Sequence, residues 1–219
     1  MLPGPAADGA VGGQGATGDA GVTGDAGPSG VLPGMTVLFD GTNFDHWVYN
    51  PAAWTIKDGA MHGKSPQGQS QAFTKENYSS FRLIVSSRMV KSNDHLGVCL
   101  WGGRPAAGRY GFERCLLVIP PHGAIWDYLD NSDHPKPKIF DQNEWHRTEI
   151  LANRETGKVL VATDGKLVHE YQDPAGQLGR RQNGPIGMQI HRAGEPEVQY
   201  KDIAIEVDPK EDRLLTLTP

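Results

Sequence analysis

Four side chains in this sequence are of types that can do chemistry and fall where strand alternation could bring them to one face: Trp101, Glu113, Gln189 and His191. A carboxylate and an imidazole can move protons, an amide can hold hydroxyls, and an indole can stack on a pyranose ring. Glu113 lies in Tyr110-Gly-Phe-Glu-Arg-Cys-Leu-Leu-Val-Ile119, whose alternation predicts a strand with Glu113, Cys115 and Leu117 on one face. Upstream, Leu96-Gly-Val-Cys-Leu-Trp101 predicts a second strand, and the Gly- and Pro-containing residues 102–109 have the composition of a hairpin loop. In the register that sets Cys99 opposite Cys115, Trp101 falls beside Glu113 on one sheet face. The alternative is that Glu113 faces solvent and Trp101 is ordinary sheet surface. Cys99 and Cys115 are either free or, in that register, bridged if their Cα atoms fall within about 4.4 to 6.8 Å. Pro185-Ile-Gly-Met-Gln-Ile-His191 alternates cleanly, with Ile186, Met188 and Ile190 pointing one way and Gly187, Gln189 and His191 the other.

The elements that must position these groups are short and β-like. Residues 36–39, 54–56, 60–62, 71–74, 81–90, 123–129, 145–152, 158–162, 166–171, 185–191 and 198–207 all read as strands. Lys57-Asp-Gly59 and Thr163-Asp-Gly165 are Asp-Gly hairpin signals between them. No segment sustains a helical period. The pattern predicts an all-β, two-sheet antiparallel sandwich, its inner faces apolar and an outer face free to carry the site. Glu113, Trp101, Gln189 and His191 are expected on that accessible face. Trp47, Trp54 and Trp145 are expected in the core, and His46, His62, His122, His134, His146 and His169 mostly at the surface. Asp127, Asp130, Asp133 and Asp141 surround a Pro-rich loop and read either as a solvated loop or as ligands for a hard cation such as calcium.

Composition narrows the partners. The 219 residues carry 21 Lys and Arg against 26 Asp and Glu, a net charge of -5, with no basic stripe beyond Arg180-Arg181, so nucleic acid is excluded as an expected partner. No apolar run approaches the roughly 18 to 20 residues of a membrane span, and the first residues lack the basic start and apolar centre of a signal peptide. From Gly9 to Gly30 glycine stands at every third position, with Pro28 the only proline among the intervening residues. That spacing resembles collagen, but the near-absence of proline favours a flexible spacer over residues 1–34. A folded domain over 35–208 and a C-terminal tail over 209–219 follow. Such a tether fits an exported protein whose signal or lipoprotein anchor lies upstream, which makes an extracytoplasmic location the expectation. The sequence sets no oligomeric state.

Several motifs occur in the order found in one family. They are Val37-Leu-Phe-Asp-Gly-Thr-Asn-Phe-Asp-His-Trp47, Trp54-Thr-Ile-Lys-Asp-Gly-Ala-Met-His-Gly63, Tyr110-Gly-Phe-Glu113, Gly123-Ala-Ile-Trp126, Asn143-Glu-Trp-His146, Asp164-Gly-Lys-Leu-Val168 and Gly184-Pro-Ile-Gly-Met-Gln-Ile-His191. Over about residues 36–207 the chain resembles the 3-keto-disaccharide hydrolases. The resemblance implies a concanavalin-like jelly roll, commonly in exported bacterial proteins, and chemistry on 3-keto-sugars. An ordinary glycosidase needs two carboxylates flanking the bond. A ketone at C3 acidifies the C2 proton instead, so one base plus an electrophile for the enolate oxygen can expel the C1 substituent. The resemblance implies Glu113 as base or metal ligand and His191 as acid, base or ligand, with Gln189, Trp101, Arg109, Tyr110 and His95 contacting substrate. A divalent metal such as calcium is a possible cofactor, and a 3-keto-sugar or glycan the partner. The chain departs from the family where Asn-Ser-Gly and a later arginine are replaced by His95-Leu-Gly97 and Trp101, and where Cys115 replaces a glutamine. Arg104 or Arg109 could replace the lost cation. A lectin-like module that binds glycans without cleaving them is the alternative expectation.

Overall fold

The computed structural model describes residues 31–65, 68–92, 94–111, 114–128, 130–177, 180–191 and 195–218. The Gly-x-y run expected as a spacer and Glu113 lie outside the described residues. In chain order the strands are β1 (Thr36–Phe39), β2 (Trp47–Val48), β3 (Trp54–Lys57), β4 (Ala60–Lys64), β5 (Ser70–Thr74), β6 (Phe81–Lys91), β7 (Leu96–Leu100) and β8 (Leu116–Ile119). They continue with β9 (Ala124–Asp127), β10 (Ser132–His134), β11 (His146–Asn153), β12 (Lys158–Thr163), β13 (Lys166–Gln172), β14 (Gly187–Ile190) and β15 (Glu197–Val207). One antiparallel sheet runs β13-β12-β11-β6-β15-β4-β3, with β1 also on β15; the other runs β10-β9-β8-β7-β14-β5-β2. The expected two-layer sandwich is the observed architecture, with no α-helix among the described residues.

Local sequence accounts for the pairing. Both Asp-Gly hairpins form with positive φ at each residue, Asp58 and Gly59 joining β3 to β4 and Asp164 and Gly165 joining β12 to β13. This is the twist-matched geometry that Asp-Gly supplies. Alternation then fills the space between the sheets: Leu83, Val85 and Met89 of β6 meet Val98 and Leu100 of β7 and Met188 and Ile190 of β14 in one apolar cluster. Trp47 and Trp54 join it as expected, whereas Trp145 is only half-buried and lies between Arg88 and Lys201.

Two features depart from the alternation pattern. The outer face of β6 is buried around Arg82 as well as the inner one, because residues 209–218, expected as a tail, pack across it. Arg82 donates to Glu149, Glu206 and the carbonyls of Glu211 and Arg213, while Glu149 accepts from the backbone of Leu215 and Thr216. Leu214 packs against Leu151, Leu160 and Ala162 beside this pair. The second departure is the register of β7 on β8. Cys99 pairs with Leu117 and Leu100 with Leu116, two residues away from the expected Cys99–Cys115 pairing. β8 begins at Leu116, and of the strand expected over 110–119 the described residues Tyr110, Gly111, Arg114 and Cys115 lie outside it. Both cysteines are free and buried, in a small outer-face cluster with Leu117, and burial pushes both thiols up from their ordinary values.

Candidate functional site

β7 and β14 are antiparallel with Leu96 opposite Ile190, which brings the residue before one strand and the residue after the other side by side. Those residues are His95 and His191, whose ring centroids lie 4.1 Å apart with planes at 33°. Asp94 joins them: its Oδ2 lies 2.5 Å from His191 Nδ1 and its Oδ1 3.0 Å from His95 Nδ1. The backbone N–H of Asp94 donates to Ser92 Oγ at 3.1 Å, which fixes the carboxylate's approach. A carboxylate can only accept, so each Nδ1 is the donor and each Nε2 carries the lone pair. His95 Nε2 is buried and has no hydrogen-bond partner among the described residues. Burial is the main influence holding the His95 pKa below the ordinary imidazole value, with His191 acting the same way and Asp94 opposing. One donor atom from each of Asp94, His95 and His191 lies within 4.8 Å of the others, so the triad could hold a divalent ion.

The sheet beside the triad carries a polar floor. Gln189 of β14 stands directly opposite Gln71 of β5, both side chains are fully buried, and all four amide atoms lack partners among the described residues. Glycines leave the amides their space: a Cβ at Gly97 would sit 2.6 Å from Gln189 Oε1, and one at Gly187 would sit 2.8 Å from Gln71 Oε1. From the other sheet, Tyr200 reaches through the core to fix these backbones. Its hydroxyl accepts from Gly97 N at 3.1 Å and donates to Gln189 O at 2.7 Å. On the opposite flank a cavity of about 240 Å³ is bounded by Asp94 and His95, floored by Ile119 and Ala124 and walled by Lys136 and Lys138.

Of the residues expected from sequence, the structure gathers His95, Gln189 and His191. Gln189 is buried instead of accessible. Trp101 is corrected: it is 1% exposed, lies in the apolar core and donates from Nε1 to Ser79 O at 2.8 Å, so it offers no stacking surface. Its φ of 60° ends the alternation of β7 and turns the indole inward. Arg104 is held by Thr74 O, Lys75 O and Asn77, away from the triad. Arg109 is exposed and Tyr110 half-buried, and neither borders the cavity. The Asp-rich loop is not a calcium cage, since Asp127 is buried and takes Arg180 and the Tyr171 hydroxyl, and Asp130 also faces Arg180. His122 and His169 are buried, contrary to expectation. Asp94, Gln71, His122 and Lys138 escape the sequence reading. The one local signal for them is the Asp-His pair just before a strand.

The sequence matches the model of the 3-keto-alpha-glucoside-1,2-lyase-like domain over residues 34–206. No curated protein matches it. Among solved structures it is similar to a protein of Parabacteroides distasonis provisionally described as a glycosyl hydrolase, at 16% identity and a TM-score of 0.59, covering 80% of this chain and 94% of that one. It is also similar to the carbohydrate-binding module CBM66 of Bacillus subtilis, at 15% identity and a TM-score of 0.53, covering 74% and 95%. A Bacillus subtilis protein with a galectin-like fold matches at 14% identity and a TM-score of 0.54, covering 74% and 89%. These likenesses establish the jelly-roll fold, and the family match extends over most of the chain: the protein belongs to the 3-keto-alpha-glucoside-1,2-lyase-like family.

Proposed function

We propose that the protein cleaves 3-ketoglycosides by elimination at the His95–Asp94–His191 cluster. The observation that carries this reading is the way one carboxylate holds Nδ1 of two imidazoles, leaving each Nε2 with its lone pair, at the end of strands that carry the buried amides Gln71 and Gln189. His191 Nε2 takes the C2 proton, which the adjacent C3 ketone acidifies, and the electron pair forms the C1–C2 double bond as the C1–O bond breaks. The departing oxygen takes that proton back from the His191 imidazolium, and water adds across the double bond to complete net hydrolysis. Gln71 and Gln189 are fully buried in the free protein, so they hold ring hydroxyls only once what covers them moves aside on binding, and each amide atom then satisfied recovers about 1–3 kcal/mol of desolvation. A divalent ion held by Asp94, His95 and His191 would polarise the ketone oxygen, but it would occupy the imidazole lone pairs, so it is an alternative to His191 acting as the base. Two imidazoles and one carboxylate suit zinc, cobalt or nickel better than the calcium expected from sequence, which prefers six to eight oxygens.

Incubation with a 3-keto-disaccharide, with and without chelator, tests the proposal. The wild type consumes the substrate and His191→Ala does not; an inactive wild type, metal-supplemented or not, removes the reading. A glycan-binding module is the second reading, favoured by the replacement of the family's arginine with a core Trp101. Tight binding of unoxidised glycan without turnover of the keto-sugar selects it.

A further inference from the structure

We infer that the cavity beside the triad is a subsite for an acidic sugar, so that the glycoside engaged here carries a carboxylate on the unit next to the keto-sugar. The inference rests on the proposed reaction for the keto-sugar's placement, though binding of the acidic unit needs no turnover.

The first support is the layout of the sheet. Gln71 pairs with Gln189, Gln189 with Gly97, and Ile119 with Ala124, and the β7–β8 register carries Gly97 to Ile119. One row of outward positions therefore crosses five strands, roughly 19 Å at the usual inter-strand spacing, which is longer than a single ring needs. The unpartnered amides occupy one end, His95 and His191 flank the middle, and the cavity forms the other end. Its volume of about 240 Å³ holds roughly eight waters' worth of liquid, which is the space of one sugar unit.

The second support is the chemistry of the lining. Lys136 and Lys138 border the cavity, and neither has an ion-pair partner within 4.0 Å among the described residues. Beyond the larger effect of burial, Lys138 also lies near enough to His122, which borders the same cavity, to push its imidazole pKa down. His122 is 4% exposed, and both of its ring nitrogens lack a partner among the described residues. Burial favours its neutral form, which offers one donor and one acceptor, a match for a carboxylate beside a hydroxyl. The opposing charges are Asp133, which borders the same cavity, and Asp94, whose two oxygens face the two histidines. Asp94 thus being engaged, two lysines face one free carboxylate. A neutral sugar leaves that surplus cation in water, whereas a carboxylate converts it into a charge-assisted hydrogen bond.

Titration of the full chain with D-glucuronate, D-glucose and glucose 6-phosphate in parallel tests the subsite, with the His122 and His95 imidazole resonances and calorimetry as readouts. Glucuronate is expected to shift His122 and to bind about tenfold more weakly to the Lys136→Ala/Lys138→Ala double variant, while glucose leaves His122 unmoved. Equal affinity for glucose and glucuronate, or glucuronate affinity unchanged in the double variant, overturns the inference, as does a phosphate sugar that outcompetes the carboxylate. His191→Ala separates the two claims. Loss of keto-sugar turnover with intact, lysine-dependent glucuronate binding supports the subsite, and glucuronate binding by a wild type inactive on every keto-sugar leaves the subsite standing while the reaction falls. Conversely, turnover of acidic and neutral 3-ketoglycosides with equal kcat/KM refutes the subsite and keeps the reaction.

Discussion

Replacing Gln189 by methionine is expected to stabilise the free protein while weakening its hold on sugar. The side chain is fully buried and neither of its amide atoms has a partner among the described residues. An unsatisfied buried polar atom costs about 1–3 kcal/mol, so two such atoms carry roughly 2–6 kcal/mol of strain on the folded state. Methionine has a similar length and a flexible thioether, but it must lie against Gly97 and Leu117, where the fit is close. Allowing for imperfect repacking, the net gain is about 1–2 kcal/mol, or a Tm increase of about 2–8 °C for a domain of this size. Thermal unfolding of Gln189→Met without ligand, followed by the same melt at saturating glycan, reads both effects. The ligand-induced rise in Tm seen for the wild type should shrink in the variant. A Tm that falls by several degrees would falsify the reasoning, because it means that the amide is satisfied in the free protein and serves the sheet.

Further outcomes follow from the same geometry. Asp94→Asn keeps the shape but can no longer accept from both imidazoles, so kcat on a 3-keto-disaccharide is expected to fall by about 10²-fold or more with a smaller change in KM; steady-state kinetics decide this. Arg82→Ala leaves Glu149 buried without its partner and should cost about 3–5 kcal/mol, with residues 209–218 becoming sensitive to limited proteolysis; resistance equal to that of the wild type counts against the strap. The pKa values of His62, His95, His122 and His169 are all lowered, burial being the largest cause for each. Below the unfolded-state value of about 6.5 the unfolded chain therefore binds more protons than the folded one. The associated stability is fully present above that pH and is lost as pH falls toward the lowered folded values. Tm should be flat above about pH 7 and drop between pH 6.5 and 5, and a Tm that rises on acidification contradicts it.

What the sequence reveals is what local pattern controls. Asp58-Gly59 and Asp164-Gly165 fix their hairpins because positive φ is demanded by the turn itself. Alternation likewise places Gln189 and His191 on the face opposite Met188 and Ile190 without any knowledge of neighbours. The register of β7 on β8 escapes for a definite reason. A slip of two residues leaves every side chain on its original face, so a period of two cannot distinguish Cys99 opposite Leu117 from Cys99 opposite Cys115. Trp101 is missed because one residue of positive φ inverts the parity that the rest of the strand obeys. The strap over β6 depends on Arg82 meeting Glu149 and the backbone beyond residue 210, partners far apart in the chain and invisible to any local window.

The replacement of the family's arginine by Trp101 moves the question of charge to another part of the molecule. With its indole in the core, that position supplies no cation to the outer face, and Arg104 is held elsewhere by two carbonyls and Asn77. Beyond its neighbour His191, the cation that bears on His95 is Lys138, in the segment after β10. A cation on that segment approaches from the β8–β9 side of the triad, whereas one at the end of β7 would stand at the opposite end of the strand from His95. For the proposed elimination, the described residues offer two sources of positive charge near the triad: the cavity lysines Lys136 and Lys138, or an ion held by Asp94, His95 and His191. The two routes separate cleanly, because the Lys136→Ala/Lys138→Ala double variant removes the first while leaving all three donors of the second in place.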